Sequence, residues 1–304
     1  MNPNISAIVP TLGRSPLLVP CLEALRREGG ADLEIVVVDQ GSEPASLPPG
    51  LADRLVRPGN NLGFAGGTNA GIAAAAGELL ALVNDDVLVE PGWLAALAGT
   101  LAADPGVAAV QGVNLLLDDI SLADGCGITW NRWWQAVQIG HALPAPPAGG
   151  GTREVFGVSA TAALFRRSAF PAGDVFDPRL GSYYEDVDLA VRLRAAGWQA
   201  LLVPAARARH AGSATGRTLG SRRWRLIHGN RHLVAARLLG RSYWTHLPRL
   251  VLRDLVDLGR ALLTGEGALA AGIAGGWGRA ARLLPGFARR GAPAVPLQDV
   301  VRFR

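Results

Sequence analysis

Short apolar runs alternate with longer amphipathic stretches over the first 110 residues of the chain. Runs rich in β-branched residues and leucine, bounded by polar or turn-forming residues, predict buried strands at residues 5–10, 34–39 and 79–85. Longer stretches with helical spacing predict helices at residues 16–28, 68–77 and 91–103. Near-continuous apolar strands separated by helices are typical of a parallel sheet covered on both faces. We therefore expect a doubly wound α/β fold.

The pattern changes after this alternating region. Residues 118–153 are rich in glycine and proline and carry three tryptophans with little periodicity, which predicts an excursion or an active-site loop. Residues 154–166 and 199–203 predict further strands, and Pro204 is expected to end the second of them. Between them, residues 185–196 predict a short helix with an acidic first turn.

The last third of the chain is basic. Residues 205–304 carry 18 arginines and 4 acidic residues, whereas residues 1–204 carry 12 arginines and 21 acidic residues. Residues 222–290 predict amphipathic helices. Within them, one set of residues falls near helical spacing with arginines between its members: Leu247, Leu250, Val251, Asp254, Leu255, Leu258 and Leu262.

Composition narrows the function classes. With 304 residues, 49% hydrophobic and 18% charged, the chain can bury a sizeable core. All 30 basic residues are arginines, and the absence of lysine excludes a P-loop lysine, a Schiff base and lysine-dependent nucleotidyl transfer. The two cysteines, Cys21 and Cys126, form no disulfide framework or zinc motif. The N-terminal sequence has no signal-peptide pattern, so we expect a cytoplasmic chain.

Polar clusters follow the three clearest strands. They are Pro10-Thr11-Leu12-Gly13-Arg14, Asp39-Gln40-Gly41-Ser42 and Asn84-Asp85-Asp86. Because ligands of open parallel sheets bind beyond the carboxyl ends of the strands, three such clusters predict a shared site. The alternative is that they are ordinary turn and cap residues.

Asn84-Asp85-Asp86 is the sharpest local feature. Adjacent carboxylates repel each other unless a cation or hydrogen bonds intervene, so a divalent metal such as Mg²⁺ or Mn²⁺ is a natural partner. A helix N-cap is the alternative account. The Gly-rich segment at residues 61–71 leads into an Ala-rich helix, and by itself it is only weak evidence for an anion site.

Carboxylates and histidines supply further candidates. Residues 183–188 place three carboxylates at a helix start, where one held in a cleft would act as a general base; capping is the alternative. His210 follows a strand end and would be a good third ligand beside carboxylates. His228 and His232 are four residues apart without further metal ligands, which favours a surface helix.

Together and in this order, several segments resemble inverting glycosyltransferases of family 2, especially bacterial rhamnosyltransferase-like members. The segments are SAIVPTLGR, EIVVVDQGS, NLGFAGGTNAG, LALVNDDV, GVSATAALFRR and YYEDVDLAVRLRAAGW. The resemblance covers residues 5 to about 215 and implies a GT-A fold. It implies a catalytic domain at residues 1–215, divided into a nucleotide-sugar half (1–117) and an acceptor half (118–215). Residues 216–304 would form an Arg-rich helical region.

The resemblance also implies roles for individual residues. Donor-binding residues would be Pro10, Thr11, Asp39, Asn69, Asn84 and Asp85. Asp86 and His210 would hold Mg²⁺ or Mn²⁺, and Asp186 would be the general base. Gly13, Gln40 and Asn84 depart from the usual pattern, the last because it replaces the first Asp of the metal motif.

The implied reaction moves a sugar from a nucleoside-diphosphate-sugar, with dTDP-rhamnose or a UDP-sugar favoured, to a glycan or lipid-linked glycan of the cell envelope. The acceptor candidates are Trp130, Trp133, Trp134 and Glu185, although the tryptophans have core packing as an equal alternative. The other function classes are a catalytically inactive nucleotide-sugar-binding scaffold and, with less support, a sugar nucleotidyltransferase.

The basic helices allow more than one partner. Arginine with leucine-rich faces and interfacial tryptophans fits an anionic membrane surface better than nucleic acid, because no nucleic-acid motif is present. Membrane association would hold the enzyme against the inner face of the cytoplasmic membrane. The alternative is that the helices pack on the catalytic domain or form a dimer interface.

Overall fold

The computed structural model describes residues 4–29, 32–212, 219–288 and residue 300. Its strands up to the middle of the chain are β1 (Ile5–Thr11), β2 (Leu33–Asp39), β3 (Arg54–Val56), β4 (Leu79–Val83), β5 (Val87–Val89) and β6 (Val107–Leu116). The later strands are β7 (Ala123–Gly125), β8 (Ile128–Trp130), β9 (Ala136–Gln138), β10 (Arg153–Val155), β11 (Ala162–Arg166) and β12 (Gln199–His210). The helices are α1 (Leu18–Gly29), α2 (Gly63–Ala74), α3 (Trp93–Ala103), α4 (Glu185–Ala195), α5 (Ser221–Leu239), α6 (Tyr243–Leu263) and α7 (Gly267–Ala288). The boundary expected at residue 215 lies outside the described residues.

One large sheet organises the molecule, with strand order β10-β12-β6-β11-β4-β1-β2-β3. The strands β4, β1, β2 and β3 are mutually parallel, and β12 is parallel to β6. Strand β11 runs antiparallel between β4 and β6, and the short strands β5 and β7 pair antiparallel with β12 and β6. The expected α/β architecture is therefore confirmed. The antiparallel strands β5, β7 and β11 are an addition to the expected parallel sheet.

Both faces of the sheet are buried. Residues of β1 alternate between two apolar clusters, with Ile8 on the side of α2 and Val9 on the side of α1 and α3. A Cβ added at Gly71 of α2 would lie 2.4 Å from Ile8 Cγ2. Helix α2 begins at Gly63, so part of the Gly-rich segment is helix rather than the expected leading loop, and Gly71 lets that helix approach the sheet closely.

Three other expectations need correction. Residues 118–153 contain the short strands β7, β8 and β9 instead of a single loop. Residues 154–166 divide between β10 and β11, and the segment between these strands carries Ser159. Pro204 does not end its strand, because β12 continues to His210 with a register shift between Leu202 and Arg207. A proline lacks an N–H and is tolerated at such an irregularity.

The three C-terminal helices pack against one another, and α5 also contacts α4. Gly276 of α7 faces Gly229 of α5, where an added Cβ would lie 2.9 Å from the Gly229 nitrogen, so the glycines permit close packing of these helices. No helix of the described residues combines the length and the hydropathy needed to cross a membrane.

His228 and His232 are not on a surface, contrary to expectation. Both are buried, and both contact the buried carboxylate of Asp254, at 2.6 Å from Nδ1 of His228 and 2.9 Å from Nε2 of His232. Arg231 and Trp277 also contact this carboxylate. The spacing of four residues therefore places both histidines toward α6 rather than toward solvent.

Candidate active site

The ends of β1 and β4 meet, as parallel neighbouring strands require. Thr11 Oγ1 donates a hydrogen bond to Asp85 Oδ2 at 2.5 Å, and Ser15 Oγ donates to the Asp85 backbone carbonyl at 3.1 Å. Burial raises the pKa of Asp85 to about 6; the Thr11 hydrogen bond opposes this rise and the Asp86 carboxylate adds to it. Pro10, which precedes Thr11 on β1, is partly buried at the same edge.

The end of β2 is held by local contacts. Asp39 accepts hydrogen bonds from the Gly41 and Ala45 backbone N–H groups, both at 2.9 Å, and its Oδ2 lies 3.2 Å from Arg57 Nε. Its side chain has no exposed surface. The structure therefore uses Asp39 to shape the loop after β2. Gln40 next to it accepts a hydrogen bond from the backbone N–H of Leu62, just before α2.

The side-chain amide of Asn69 forms its hydrogen bonds away from the strand ends. Its Nδ2 donates to the Phe176 carbonyl at 2.7 Å, and its Oδ1 accepts from the Phe176 N–H at 2.9 Å. Both polar ends of the amide are thus used to join α2 to the segment before α4. The donor contact that the resemblance implies for Asn69 stays a prediction beside this observed contact.

Asp86 and His210 lie side by side where β5 pairs with the end of β12. His210 Nε2 is 3.2 Å from Asp86 Oδ1, and His210 Nδ1 is 2.9 Å from Asp124 Oδ2. Although burial lowers the pKa of His210, its contacts with Asp124 and Asp86 outweigh that effect and raise the pKa to about 9. Sequence reasoning missed Asp124, because it lies in the aperiodic segment without a motif around it.

The pair Asp86 and His210 fits a divalent metal. Among the residues that the structure describes, no three His, Cys, Asp or Glu side chains are arranged as a complete metal site. However, the buried Nε2 of His210 has no aligned hydrogen-bond partner, although the Asp86 carboxylate is at ion-pair distance. An imidazole nitrogen and a carboxylate are suitable ligands for Mn²⁺, and Mg²⁺ usually combines one or two carboxylates with substrate phosphates and water.

Asp186 is the second residue of α4 and is partly buried. Its Oδ1 accepts from the Val187 N–H at 2.8 Å, and its Oδ2 accepts from Ser159 Oγ and the Ala160 N–H, each at 3.3 Å. Burial raises the pKa of Asp186, against the lowering effect of these three donors. Neighbouring Glu185 is buried, and burial together with the Asp186 charge raises its pKa well above the usual value.

A chain of hydrogen bonds joins Asp186 to the Asn84-Asp85-Asp86 segment. Ser159 Oγ contacts both Asp186 Oδ2 and Thr161 Oγ1, the latter at 3.0 Å. The Asn84 N–H in turn donates to the Thr161 carbonyl at 2.9 Å. The segment between β10 and β11 therefore fixes the position of Asp186 relative to the end of β4. Ser159 and Thr161 lie in the segment GVSATAALFRR, but nothing local in that sequence indicates this bridging role.

The turn before α4 has an unusual backbone. Tyr183 and Tyr184 both have a positive φ, 69° and 70°, a backbone conformation that residues other than glycine rarely adopt. Asn230 Nδ2 of α5 donates to the backbone carbonyls of Leu180, Ser182 and Tyr183, at 2.9, 3.1 and 2.7 Å. A buried side chain of the C-terminal helices thus supports the turn that presents Glu185 and Asp186.

The tryptophans divide between core and surface. Trp130 and Trp134 are buried and contact each other edge to face, with ring centroids 6.5 Å apart. They belong to the buried cluster that also contains Leu180, Val187 and residues of α5, so neither has a face available for a sugar ring. The core alternative is correct for these two residues. Trp133 is partly exposed, and the Arg132 guanidinium lies 5.2 Å from its ring.

Comparisons with known proteins agree with this architecture. Residues 6–172 match the family model of glycosyl transferase family 2, and the chain belongs to this family. Within it, the chain is 28% identical over 241 residues to an N-acetylglucosaminyl-diphospho-decaprenol L-rhamnosyltransferase of Mycobacterium tuberculosis. That match covers 69% of this chain and 76% of the relative. The chain spans only about a quarter of the length of other curated relatives that it matches, 25% and 28% in two cases.

Two solved structures share the fold. One is GalNAc-T7 with UDP, GalNAc and Mn²⁺, with a TM-score of 0.62, 13% identity, and coverage of 96% of this chain and 55% of the other. The second is the mannosyltransferase PcManGT from Pyrobaculum calidifontis with GDP-Man and Mn²⁺, with a TM-score of 0.53, 19% identity, and coverage of 94% and 88%. These similarities confirm the expected GT-A fold.

Proposed function

We propose that the protein is an inverting, metal-dependent glycosyltransferase that uses a nucleoside-diphosphate-sugar donor. The observation that carries this proposal is the hydrogen-bonded connection from the Asn84-Asp85-Asp86 segment through Thr161 and Ser159 to Asp186. It holds one carboxylate, that of Asp186, at a fixed position relative to the strand ends that would hold the donor. A single-displacement transfer requires this separation of a base from a leaving group.

In this mechanism Asp186 is the general base. It accepts the proton of the acceptor hydroxyl while that oxygen attacks the anomeric carbon from the face opposite the nucleoside diphosphate, and the configuration inverts. Burial raises the pKa of Asp186, which makes its carboxylate a stronger base than an ordinary aspartate. The Ser159 hydroxyl and the Ala160 and Val187 N–H groups orient that carboxylate.

The donor would bind at the strand ends. The proposed donor-binding residues are Pro10, Thr11, Asp39, Asn69, Asn84 and Asp85, and Thr11 and Asp85 are already joined by a hydrogen bond. Asp86 and His210 would hold Mg²⁺ or Mn²⁺. When bound, the metal would neutralise negative charge on the diphosphate. Asp124 orients the His210 ring through Nδ1, as outer carboxylates do for histidine ligands.

The favoured donor is dTDP-rhamnose or a UDP-sugar, and the favoured acceptor is a glycan or a lipid-linked glycan of the cell envelope. The similarity to the mycobacterial N-acetylglucosaminyl-diphospho-decaprenol L-rhamnosyltransferase supports this choice. Trp133 and Glu185 are the remaining acceptor candidates, since Trp130 and Trp134 are in the core.

A peripheral membrane location fits α6. Six of its large apolar residues are about half exposed or more: Trp244, Leu252, Leu255, Val256, Leu262 and Leu263. At 3.6 residues per turn they lie within a sector of about 120° that contains no charged residue. Arg249 and Arg260 are exposed along one border of this sector. An apolar face bordered by arginines is complementary to an anionic lipid surface.

The test compares the wild type with Asp186→Asn on dTDP-rhamnose and UDP-sugars, with and without Mn²⁺. We expect Asp186→Asn to keep donor-induced thermal stabilisation and to lose transfer, and the wild-type product to have the inverted anomeric configuration by NMR. Asp174→Asn, an exposed aspartate, is the matched control. Near-wild-type turnover by Asp186→Asn would refute the base assignment. Donor binding without transfer by the wild type to any offered acceptor would favour an inactive scaffold.

A further inference from the structure

A cavity lies between the C-terminal helices and the turn before α4. It has a volume of about 150 Å³ and is bounded by all three C-terminal helices together with the turn before α4. Its walls include Gln135, Tyr184, Trp224, Arg231, Arg260 and Leu269. Tyr184 is two residues before Asp186, so this cavity adjoins the turn that presents the proposed base.

Arg231 is the unusual residue in this wall. It is 1% exposed, and its Nη2 donates to the Leu250 carbonyl at 2.7 Å and lies 3.1 Å from Asp254 Oδ1. Its Nε and Nη1 have no hydrogen-bond partner within the described part of the chain. Guanidinium N–H groups removed from water without a partner are costly, so a ligand oxygen in the cavity would offset that cost.

The carboxylates around the cavity are already paired. Asp254 contacts His228, His232, Trp277 and Arg231. Asp257, which also lines the cavity, forms a two-point ion pair with Arg253. By contrast, the exposed Arg260 has its acidic neighbour Glu266 at 3.9 Å. Among the described residues, Arg231 therefore keeps two guanidinium nitrogens without a hydrogen-bond partner, and Arg260 has only this distant ion pair. Trp224 and Leu269 supply apolar walls.

We infer that this cavity binds a phosphate or diphosphate group of the acceptor, with Arg231 and Arg260 as its anion-binding residues. The inference rests on the proposed function and specifies the acceptor as one that carries its glycan on a phosphate. Arg260 also borders the apolar face of α6, so the same helix would contact both the phosphate and the lipid surface. Charge-assisted hydrogen bonds from arginine to phosphate are among the stronger polar contacts in proteins.

The kinetic test uses two acceptors that share one sugar. The first is N-acetylglucosaminyl diphosphate on a short prenyl chain, and the second is the octyl glycoside of N-acetylglucosamine, which has no phosphate. The variants are Arg260→Gln and Arg231→Lys, with exposed Arg222→Gln of α5 as the matched control. We expect the KM of the diphosphate acceptor to rise about tenfold or more in the two cavity variants, with the KM of the octyl glycoside unchanged. Equal effects on both acceptors, or no effect on either, would overturn the inference.

Binding of inorganic pyrophosphate tests the cavity without any transfer. In the presence of saturating nucleotide, which occupies the donor site, pyrophosphate should stabilise the wild type and Arg222→Gln but not Arg260→Gln. Equal stabilisation of all three proteins would refute the cavity assignment, whether or not transfer is observed. Stabilisation by pyrophosphate with no preference for the diphosphate acceptor would mean that the cavity binds free phosphate, and would also overturn the acceptor assignment. Because Arg231 is buried, the exposed Arg260 keeps the test valid if Arg231→Lys does not fold.

Loss of the proposed function itself has a separate readout. Hydrolysis of the donor by water needs the donor site but no acceptor, so the wild type and the control Arg222→Gln should hydrolyse it at equal rates. Absence of hydrolysis and transfer in the wild type would count against the proposed function, while the pyrophosphate measurement would still decide the cavity.

Discussion

The side-chain amide of Asn230 donates a hydrogen bond to the backbone carbonyl of Tyr183 at 2.7 Å. Tyr183 is 47 residues earlier in the chain, in a turn whose two tyrosines have positive φ, and this turn leads directly into Glu185 and Asp186. Strained backbone persists only where the surroundings determine it. The Arg-rich C-terminal helices therefore help to hold the turn of the candidate active site, in addition to any role at a surface.

Asn230→Ala should destabilise this turn. Three backbone carbonyls would lose a shared donor, which we expect to cost about 1–3 kcal/mol of unfolding free energy. Because the turn positions Asp186, kcat should fall while donor affinity stays near the wild-type value. Denaturation and steady-state kinetics measure the two effects. Asn60→Ala, at an exposed position, is the control. Unchanged kcat in a folded Asn230→Ala protein would contradict a positioning role.

The pH profile of transfer should report the environment of Asp186. A general base must be ionised, so activity falls as the pH drops through its pKa. Since burial raises that pKa, the acid limb of kcat should lie above the ordinary aspartate value of about 3.9. Ser159→Ala removes a donor to the carboxylate and should move the limb to still higher pH. A shift to lower pH would contradict this assignment.

Asp124→Asn should weaken metal binding without removing a proposed ligand. Asp124 contacts His210 Nδ1 at 2.9 Å and orients the ring whose Nε2 faces Asp86. Loss of such a carboxylate typically reduces metal affinity about 10–100-fold. Titration of Mn²⁺ in the presence of nucleotide measures the effect, and the exposed Asp118→Asn is the matched control. Equal Mn²⁺ affinity in Asp124→Asn and the wild type would contradict the assignment of His210 as a metal ligand.

Polar substitution on the exposed apolar face of α6 should release the protein from lipid. We expect co-sedimentation with anionic vesicles, weakened by salt because surface charge interactions are screened. The double change Leu252→Ser and Val256→Ser should abolish this co-sedimentation. Leu143→Ser, at an exposed leucine outside α6, should not. If the double variant changes the oligomeric state instead of vesicle binding, this face is an interface between copies of the chain.

Acid should remove the stability that Asp254 provides. Despite burial, which raises it, the pKa of Asp254 is lowered by hydrogen bonds from His228 and His232 and by Arg231. A lowered pKa contributes stability above the unfolded value of about 3.9, and this contribution is lost as the pH falls toward the folded value. Asp254→Ala should cost about 3–5 kcal/mol near neutral pH, because it leaves Arg231 without its buried partner.

The difference between the wild type and Asp254→Ala should therefore shrink as the pH is lowered below about 4, which urea denaturation at several pH values would measure. Exposed Asp174→Ala is the control. A constant difference across this range would show that packing, rather than the charge of Asp254, supplies the stability.

Much of the first half of the fold could be predicted from local pattern. The apolar runs of β1, β2 and β4 are buried on both faces, so their composition alone indicates parallel strands. Parallel strands end at the same edge, which is why Thr11 and Asp85, 74 residues apart, were expected to converge and do. The start of α4 could also be predicted from its acidic residues, because carboxylates favour a helix N-terminus.

The sequence by itself thus determined the α/β alternation, the family motifs and the segments where the site would form. The tertiary structure decided how those segments are held. Asp124 contacts His210, Ser159 contacts Asp186, and Asn230 contacts Tyr183 across separations of 86, 27 and 47 residues, with no local periodicity to mark the partners. It also decided that His228 and His232 are buried while Leu255 and Leu262 are exposed. Helical spacing groups residues on a face, but only the packing of one helix against another decides which face is buried.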